Sequence, residues 1–517
     1  MRLLTLTDVK LPVGTPESKL FEIATKKLKC PPKHFVIKKK SIDARNKADI
    51  RILYTLEVGD KKLQQNQAPL SQLPKEKLPQ KPVFIVGSGP AGLFCAIRLI
   101  QRGFQPIVIE RGASIEEREK INENFFLTGK LDKDTNIQFG EGGAGTFSDG
   151  KLNTQTHSPL NSEVLKTFAQ FGAPEEIVYL NKPHIGSDRL KGVIKNMRQF
   201  ILERGGQVWF NTTLTDIFTE EGTLKAVKII RKNGGEERLD VSALVLAIGH
   251  SSRDTFEMLL RRGVHITQKD FAVGVRIEHL QKSISFAQYG KKYPLLPPAD
   301  YKLVSHAGER ACFTFCMCPG GYVMPATSEE ECVVTNGMSC FARDGVNANS
   351  ALIAQVRKED FASNHPLAGI EFQRALERKT YLVGGKNYFA PVQRVEDFLK
   401  DKTSSNFGEV LPTYKRGTTF ADFRQIFPSF ITESLKQGLM DMDKKLKGFA
   451  HPDALLTATE TRTSSPIRIE RDKITLQSLS TSNLYPTGEG AGYAGGITSS
   501  ASDGIRVAEQ IYHTFLN

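Results

Sequence analysis

Six consecutive residues, Gly87-Ser88-Gly89-Pro90-Ala91-Gly92, have the G-x-G-x-x-G spacing that brings backbone close to a pyrophosphate. Gly87 permits the tight turn, Gly89 lets the backbone approach the phosphates, and Gly92 lets a helix pack against a strand. The helix N-terminus then turns free N–H groups and a partial positive charge toward the anion. Glu110, with Arg111 beside it, follows 23 residues after Gly87. A carboxylate at that point can accept hydrogen bonds from a ribose diol. The plainer alternative is a glycine turn in an ordinary α/β unit. The context argues against it: an apolar strand precedes, a helical stretch follows, and a second strand ends at the acid.

Three later segments bear on which dinucleotide is bound. Gly140 to Lys151 is dense in small residues, so its backbone can approach a flat ring and its diphosphate. Its candidate contacts are Gly142, Gly143, Thr146, Ser148, Gly150 and Lys151. Leu244 to Gly249 is an apolar strand ending in Ala247-Ile248-Gly249. Asn483 to Glu489 is a strand ending in Gly488-Glu489, followed by Gly490 to Gly496 and a helix over Ser499 to Ile511. No second G-x-G-x-x-G sits at the first turn of a strand–helix–strand unit elsewhere, which argues against a two-dinucleotide reductase.

The elements that position these residues form a βαβ unit: strand Val83–Val86, helix Leu93–Gln101 and strand Pro106–Glu110. The continuous apolar runs suit buried parallel strands. The expected fold is α/β. A Rossmann-like dinucleotide-binding domain is interrupted by an inserted α+β substrate domain and preceded by a small α+β module. The expected boundaries are a basic module at 1–60, a linker at 61–81, and the first part of the dinucleotide domain at 82–267. The inserted substrate or cap domain is expected at 268–455, and the C-terminal part of the dinucleotide domain at 456–517.

The layout resembles the FAD-binding flavoproteins of the glutathione-reductase-like superfold, especially the branch containing fumarate reductase. That resemblance implies FAD. It places Glu110 at the adenosine ribose, Leu214 at the adenine, and Glu489 at the ribityl chain. Gly496, Ile497 and Thr498 then lie near the flavin pyrimidine, where a helix dipole favours negative charge on reduced flavin. Several insertion motifs sharpen the match: Val273-Gly274-Val275-Arg276-Ile277-Glu278-His279, Phe313 to Gly321, Asn336-Gly337-Met338-Ser339, Asn347 to Leu352 and Glu460 to Arg468. Together they are similar to a widespread, poorly characterised family of bacterial FAD-dependent dehydrogenases (FAD-utilizing oxidoreductases). The resemblance covers nearly the whole chain. One departure is His279-Leu280, where the family has His-Pro.

Four residues are candidates for chemistry beside the flavin. Arg276 and Glu278 share a face of one strand by period-two alternation, with His279 turned away. Arg276 can clamp an anionic substrate bidentately, or it can form an internal ion pair with Glu278. Arg462 belongs to a polar turn that either binds an anion or is closed on itself by hydrogen bonds. Lys151 either supports the reducible edge of the flavin or contacts a phosphate. Cys316 and Cys318 are read as part of a buried strand, with a flavin-linked dithiol as the alternative. The spacing of Cys312, Cys316, Cys318, Cys332 and Cys340 is not that of a zinc site, so no metal is expected.

Composition sets the outer limits. The 517 residues are 39% hydrophobic and 25% charged, which excludes a disordered or fibrous chain. Seven cysteines are too few for a disulfide scaffold, and with no visible apolar leader the cytoplasm is the expected location. The net charge is +13, and residues 1–81 hold 18 Lys and Arg against 8 Asp and Glu. The favoured function is therefore an FAD-dependent oxidoreductase of an anionic small molecule, with NAD(P)H as a transient reductant. Two alternatives stay open: an FAD-containing RNA-binding or RNA-modifying protein that docks through the basic module, and an interaction protein with structural FAD.

Overall fold

The computed structural model describes residues 2–62 and 70–516. The expected linker falls partly on residues 63–69, outside the described residues. Its remainder holds the short turn Lys75–Lys77.

A five-stranded parallel sheet carries the glycine fingerprint. Its order is Leu484–Pro486, Ala243–Leu246, Val83–Val86, Ile107–Ile109, Gln207–Trp209. Val83 to Val86 sits at the centre and is buried along its whole length, as its apolar run requires. The helix Pro90–Gln101 starts with proline in its first turn, where a missing N–H costs nothing. The C-terminal helix, Ile497–Leu516, packs against it and is longer than the expected Ser499–Ile511. The resemblance puts Leu214 in one strand from Val208 to Ile217. The structure instead breaks that stretch at Asn211, which takes a left-handed φ of 52°. The chain leaves the parallel sheet there and enters an antiparallel ribbon of Thr212–Glu220, Thr223–Arg231 and Glu236–Asp240.

The inserted segment builds its own sheet and core. Seven strands run in the order Val304–Ser305, Cys312–Cys318, Asn347–Val356, Phe271–Leu280, Leu455–Glu460, Ala390–Arg394, Thr418–Phe420. Its fifth strand in this order extends past the expected boundary at 455. Phe271–Leu280 lies in the middle, and nine of its ten residues are buried. Val273, Val275 and Ile277 enter the apolar core, against Ile431, Leu435 and Leu456 among others. Arg276 and Glu278 occupy the other face, as alternation dictates. His279 turns to the core side, where its Nε2 lies 2.7 Å from the Phe449 carbonyl.

The N-terminal module is a three-stranded antiparallel sheet, Leu3–Pro12, Arg51–Gly59 and His34–Asp43 in spatial order. Helix Ser18–Leu28 buries Leu20, Ala24 and Leu28 against Tyr54, Leu56 and Val58, while Phe21 stays exposed. The backbone of Lys40 bonds to Tyr179 and Asn181, which fastens the module to the dinucleotide-binding domain. Several of its cations are paired within the module: Lys40 with Glu17, Lys38 with Glu57, Arg45 with Asp43. Among the described residues, no helix is long and apolar enough to cross a membrane.

Gly274 shows how closely the inserted sheet is packed. A Cβ there would lie 2.1 Å from the carbonyl oxygen of Leu352 on the neighbouring strand. Gly274→Ala is expected to cost about 1–3 kcal/mol through forced strand displacement. Urea unfolding followed by fluorescence checks this; an unchanged midpoint would show that the sheet yields.

Candidate functional site

A cavity of about 960 Å³ lies at the C-terminal ends of the parallel strands and is closed on its far side by the inserted sheet. That position is where open α/β sheets bind ligands, and the size is at the upper end of the roughly 300–1,000 Å³ typical of ligand pockets.

The first wall is the glycine fingerprint. Gly87 has φ +104°, and a Cβ there would meet the Ala247 carbonyl at 2.3 Å. At Gly92 a Cβ would lie 1.9 Å from the Gly87 carbonyl, so only glycine lets the helix start so close to the turn. Gly89 is different. A Cβ there would meet nothing nearer than Gly143 at 3.9 Å, and the position lines the cavity with Pro90 and Ala91. Gly89 therefore keeps open a space the protein itself does not fill. Ser88 and Gly92 shape the turn without lining the cavity.

Glu110 ties this turn to the second glycine loop. Its Oε2 accepts from the backbone N–H and hydroxyl of Ser88, and its Oε1 from the N–H groups of Gly112 and Gly140. A ribose hydroxyl would compete with the Ser88 hydroxyl for this carboxylate. Arg111 lines the cavity, bonds Asp254 and Thr255, and lies over the Phe139 ring.

The second loop depends on a residue that sequence reasoning missed. Arg118, fully buried on helix Ile115–Thr128, donates to the carbonyls of Asn136, Ile137, Gly140, Glu141 and Gly143. Burial pulls its guanidinium pKa down to about 10, against the attraction of Glu110 and Glu141. A single arginine in an otherwise polar helix carries no motif; only its burial identifies it. Gly142 and Thr146 sit inside the loop, the Thr146 hydroxyl bonding the Glu141 carbonyl. Gly143, Ser148, Gly150 and Lys151 line the cavity. Asp149, also missed, bonds Ser339 and Arg343 and so fastens the loop to the inserted domain.

The third wall is the C-terminal strand–turn–helix. Gly488 is part of the turn, and its N–H donates to Asp503, which Arg471 also holds at 2.7 and 2.9 Å. Glu489, Gly496, Ile497 and Thr498 line the cavity, and so do Leu214, Ala247 and Gly249. A Cβ at Gly495 or Gly496 would meet nothing within 4 Å. Among the described residues the Glu489 carboxylate has no hydrogen-bond donor; the Nε2 of His250 lies 4.0 Å away. Burial raises the Glu489 pKa to about 7, with Lys269 opposing. Burial, reinforced by Arg462 and Arg253, lowers that of His250 to about 3, so the imidazole is neutral.

The far wall corrects the expectation for Arg276 and Glu278. Both are fully buried and neither lines the cavity. They do not pair with each other. Arg276 donates to the Cys316 carbonyl at 2.9 Å and to Asn336 at 3.1 Å, and lies 3.1 Å from Glu460. Its guanidinium fits because Gly337 has no side chain; a Cβ there would come within 2.4 Å. Glu278 accepts from Asn347 and Thr413, neither of which lines the cavity. Arg276 thus stands behind Cys316, Asn336 and Glu460, which do line it. Burial raises the Glu460 pKa to about 7, with Arg276 opposing.

Arg462 lines the cavity but commits its guanidinium to Glu377 and Ser328. Glu377 is fully buried between Arg462 and Arg253. Burial alone would push its pKa up, but the two guanidinium groups hold it well below the usual carboxylate range. Lys151 has no ion-pair partner among the described residues, and its backbone bridges to His184.

Two outcomes follow. In Arg118→Met, five buried carbonyls lose their donor, so amide exchange over residues 136–147 should accelerate at least about tenfold, one lost hydrogen bond being worth roughly 1.5–3 kcal/mol; unchanged protection would assign loop order elsewhere. In the ligand-free protein, Glu489 has a raised pKa. Its contribution to stability is full below its unfolded value and is lost as pH rises through about 7. Glu489→Gln should therefore match the wild type near pH 4 and exceed it in thermal midpoint near pH 8. Equal midpoints at both pH values would count against a desolvated, unpartnered carboxylate.

Comparison with known proteins adds the lineage. Residues 270–463 match the model of the FAD-dependent protein, C-terminal domain-like family, and residues 4–59 match a domain of unknown function. A protein of Clostridium beijerinckii, described as uncharacterized, is 47% identical over 496 residues, covering 92% of each chain. Among solved structures, pyridoxine 4-oxidase from Mesorbium loti aligns with 84% of this chain and 99% of its own at 10% identity and a TM-score of 0.39. E. coli quinol fumarate reductase aligns with 84% and 70% at 12% identity and the same TM-score. The open space at Gly89, Gly495 and Gly496 and the unpartnered Glu489 fit a dinucleotide cofactor. Identity at that level over nearly the full length, with the match across the inserted segment, places the chain in this family of FAD-dependent proteins, and FAD is its cofactor.

Proposed function

We propose that the chain is an oxidoreductase that moves a hydride between FAD and an anionic small molecule held between the flavin cradle and the inserted sheet. The observation that carries this reading is the single cavity shared by both: glycine turns on one side, Cys316, Asn336, Glu460 and Arg462 on the other. FAD supplies the two-electron chemistry.

The chain's own residues do the binding and orienting. In this reading the N-terminus of Pro90–Gln101 takes the pyrophosphate, and Glu110 and Leu214 take the adenosine end. Glu489 takes the ribityl hydroxyls. The N-terminus of Ile497–Leu516 stabilises charge on the flavin. Lys151, which like Lys269 and Lys302 lines the cavity without an ion-pair partner among the described residues, meets the anionic substrate in this reading. Arg276 and Arg462 act as positioning residues: they fix Cys316, Asn336 and Glu460, and Glu377 and Ser328. Glu278 holds the Asn347 and Thr413 region behind that wall. Glu460, with its pKa raised toward 7, is placed to hold or release a proton near neutral pH.

An anaerobic absorbance titration with NADPH, then NADH, then a panel of carboxylate and phosphate metabolites tests the reading. Rapid bleaching of the flavin by any of them supports it, and a flavin inert to all would overturn it. With an active compound in hand, Lys151→Ala should raise KM about tenfold or more while changing kcat less, the loss expected for a charge-assisted contact of about 1.5–3 kcal/mol.

A further inference from the structure

The strand Cys312–Cys318 pairs regularly with Asn347–Val356 up to Phe315, then slips register before Cys318. Within that bulge Cys316 has φ +44°, a left-handed conformation that a residue with a side chain seldom adopts. Strain of this kind concentrates at functional sites. Its result here is specific. Cys316 lines the cavity, Cys318 two residues on is fully buried, and a hydrogen bond links the two thiols. The Cys318 thiol also lies 3.3 Å from the Cys316 carbonyl, which Arg276 holds from the other side. The following turn is pinned too: the Gly320 N–H donates to Gln281 at 2.7 Å, and a Cβ on Gly321 would lie 3.0 Å from that of Cys318.

Charge around the pair separates the two sulfurs. The hydrogen bond from Cys318 pulls the Cys316 pKa down. Arg276 and Lys151 add to this, while burial and Asp149 oppose it. Cys318 moves the other way, through its bond to Cys316, its burial and the neighbouring charge. Glu460 and Glu489, the acids facing Cys316 across the cavity, are themselves held partly protonated by burial, which limits their repulsion of a thiolate. The arrangement favours the thiolate at Cys316 and the thiol at Cys318, at the wall of the cavity.

We propose that Cys316 and Cys318 form a redox pair that exchanges two electrons with the flavin, cycling between a thiolate–thiol pair and a Cys316–Cys318 disulfide. In the oxidative direction an S–S bond forms between the two sulfurs and the S–H bond of Cys318 breaks. That proton and two electrons pass to oxidised FAD, giving the reduced anion. In the other direction reduced flavin returns the proton and both electrons, and the S–S bond opens. The balance needs no reactant beyond FAD. This inference rests on the placement of the flavin ring at the Lys151–Glu489–Ile497 end of the cavity.

The test is a dithionite titration of air-oxidised holoprotein under anaerobic conditions, with thiol alkylation in denaturant and fragment-ion mass mapping of residues 311–343 on samples taken before and after. The wild type should consume about four reducing equivalents per FAD, two for the flavin and two for the disulfide. Cys316→Ser, at the cavity-facing position, should consume about two. Before reduction, Cys316 and Cys318 should resist alkylation and be two hydrogens lighter; afterwards both should be labelled. A flavin-containing wild type that takes about two equivalents, with both thiols alkylated from the start, would overturn the redox pair and leave the FAD reading intact. A purified protein with no flavin absorbance would overturn both.

Discussion

The guanidinium of Arg276 lies where water does not reach. An ion so placed must be paired and hydrogen-bonded within the protein, because desolvation costs several kcal/mol. Its partners come from three separate strands and their connections: the Cys316 carbonyl, the Asn336 side chain and Glu460. One buried charge thus fixes the relative positions of much of the cavity's far wall. Removing one member of such a set costs roughly 3–5 kcal/mol, far more than removing a surface pair. The same logic holds at Glu377, fixed between Arg253 and Arg462, and at Arg118 among its carbonyls. The site is built on buried charges that cannot relax into solvent.

The parts of this molecule that were legible in the sequence are those set by local constraints. Gly87, Gly89 and Gly92 are spaced by the geometry of one turn, and a reader needs only the flanking strand and helix to place them. The apolar run Val83–Val86 and the alternation that puts Arg276 and Glu278 on one face are equally local. The pairing of those two residues was not legible. Arg276 reaches a partner 184 positions away, Glu460, and Glu278 reaches Thr413. Nothing in the period of a strand says which neighbour will stand opposite. Arg118, Arg253 and Asp149 were invisible for a related reason, since each is a single charged residue whose meaning is its burial. Leu214 was placed in a strand that breaks at Asn211, because one left-handed residue leaves no mark on the pattern.

The cavity divides chemically into two ends. At the fingerprint, polar groups are already satisfied: Glu110 meets four donors, and Arg111 meets Asp254 and Thr255. At the Glu489 end they are not. Glu489 has no donor, His250 is a neutral imidazole, and Lys151 has no counter-charge among the described residues. An end that is hydrogen-bonded before any ligand arrives gives rigidity and orientation. An end with unpaired groups gains its bonds from what binds there. This asymmetry matches a cofactor anchored through its diphosphate half and a reactive ring left in an environment that can take up charge and protons.

Closure between the two domains follows from the second glycine loop. Asp149 belongs to the second glycine loop, yet its partners Ser339 and Arg343 belong to the inserted segment. The backbone N–H of Ser187 donates to the Ser339 carbonyl, and His184 stacks on Phe341 a few residues further on. The glycine loop is therefore held from both sides, by Arg118 beneath and by the 339–343 turn above. Lys151, two residues from Asp149, inherits its position from that clamp. A cation on a freely moving loop would be a poor anchor for substrate, since each binding event would have to order it first. In the proposed reading, the folding of the inserted domain has already ordered Lys151 before substrate arrives.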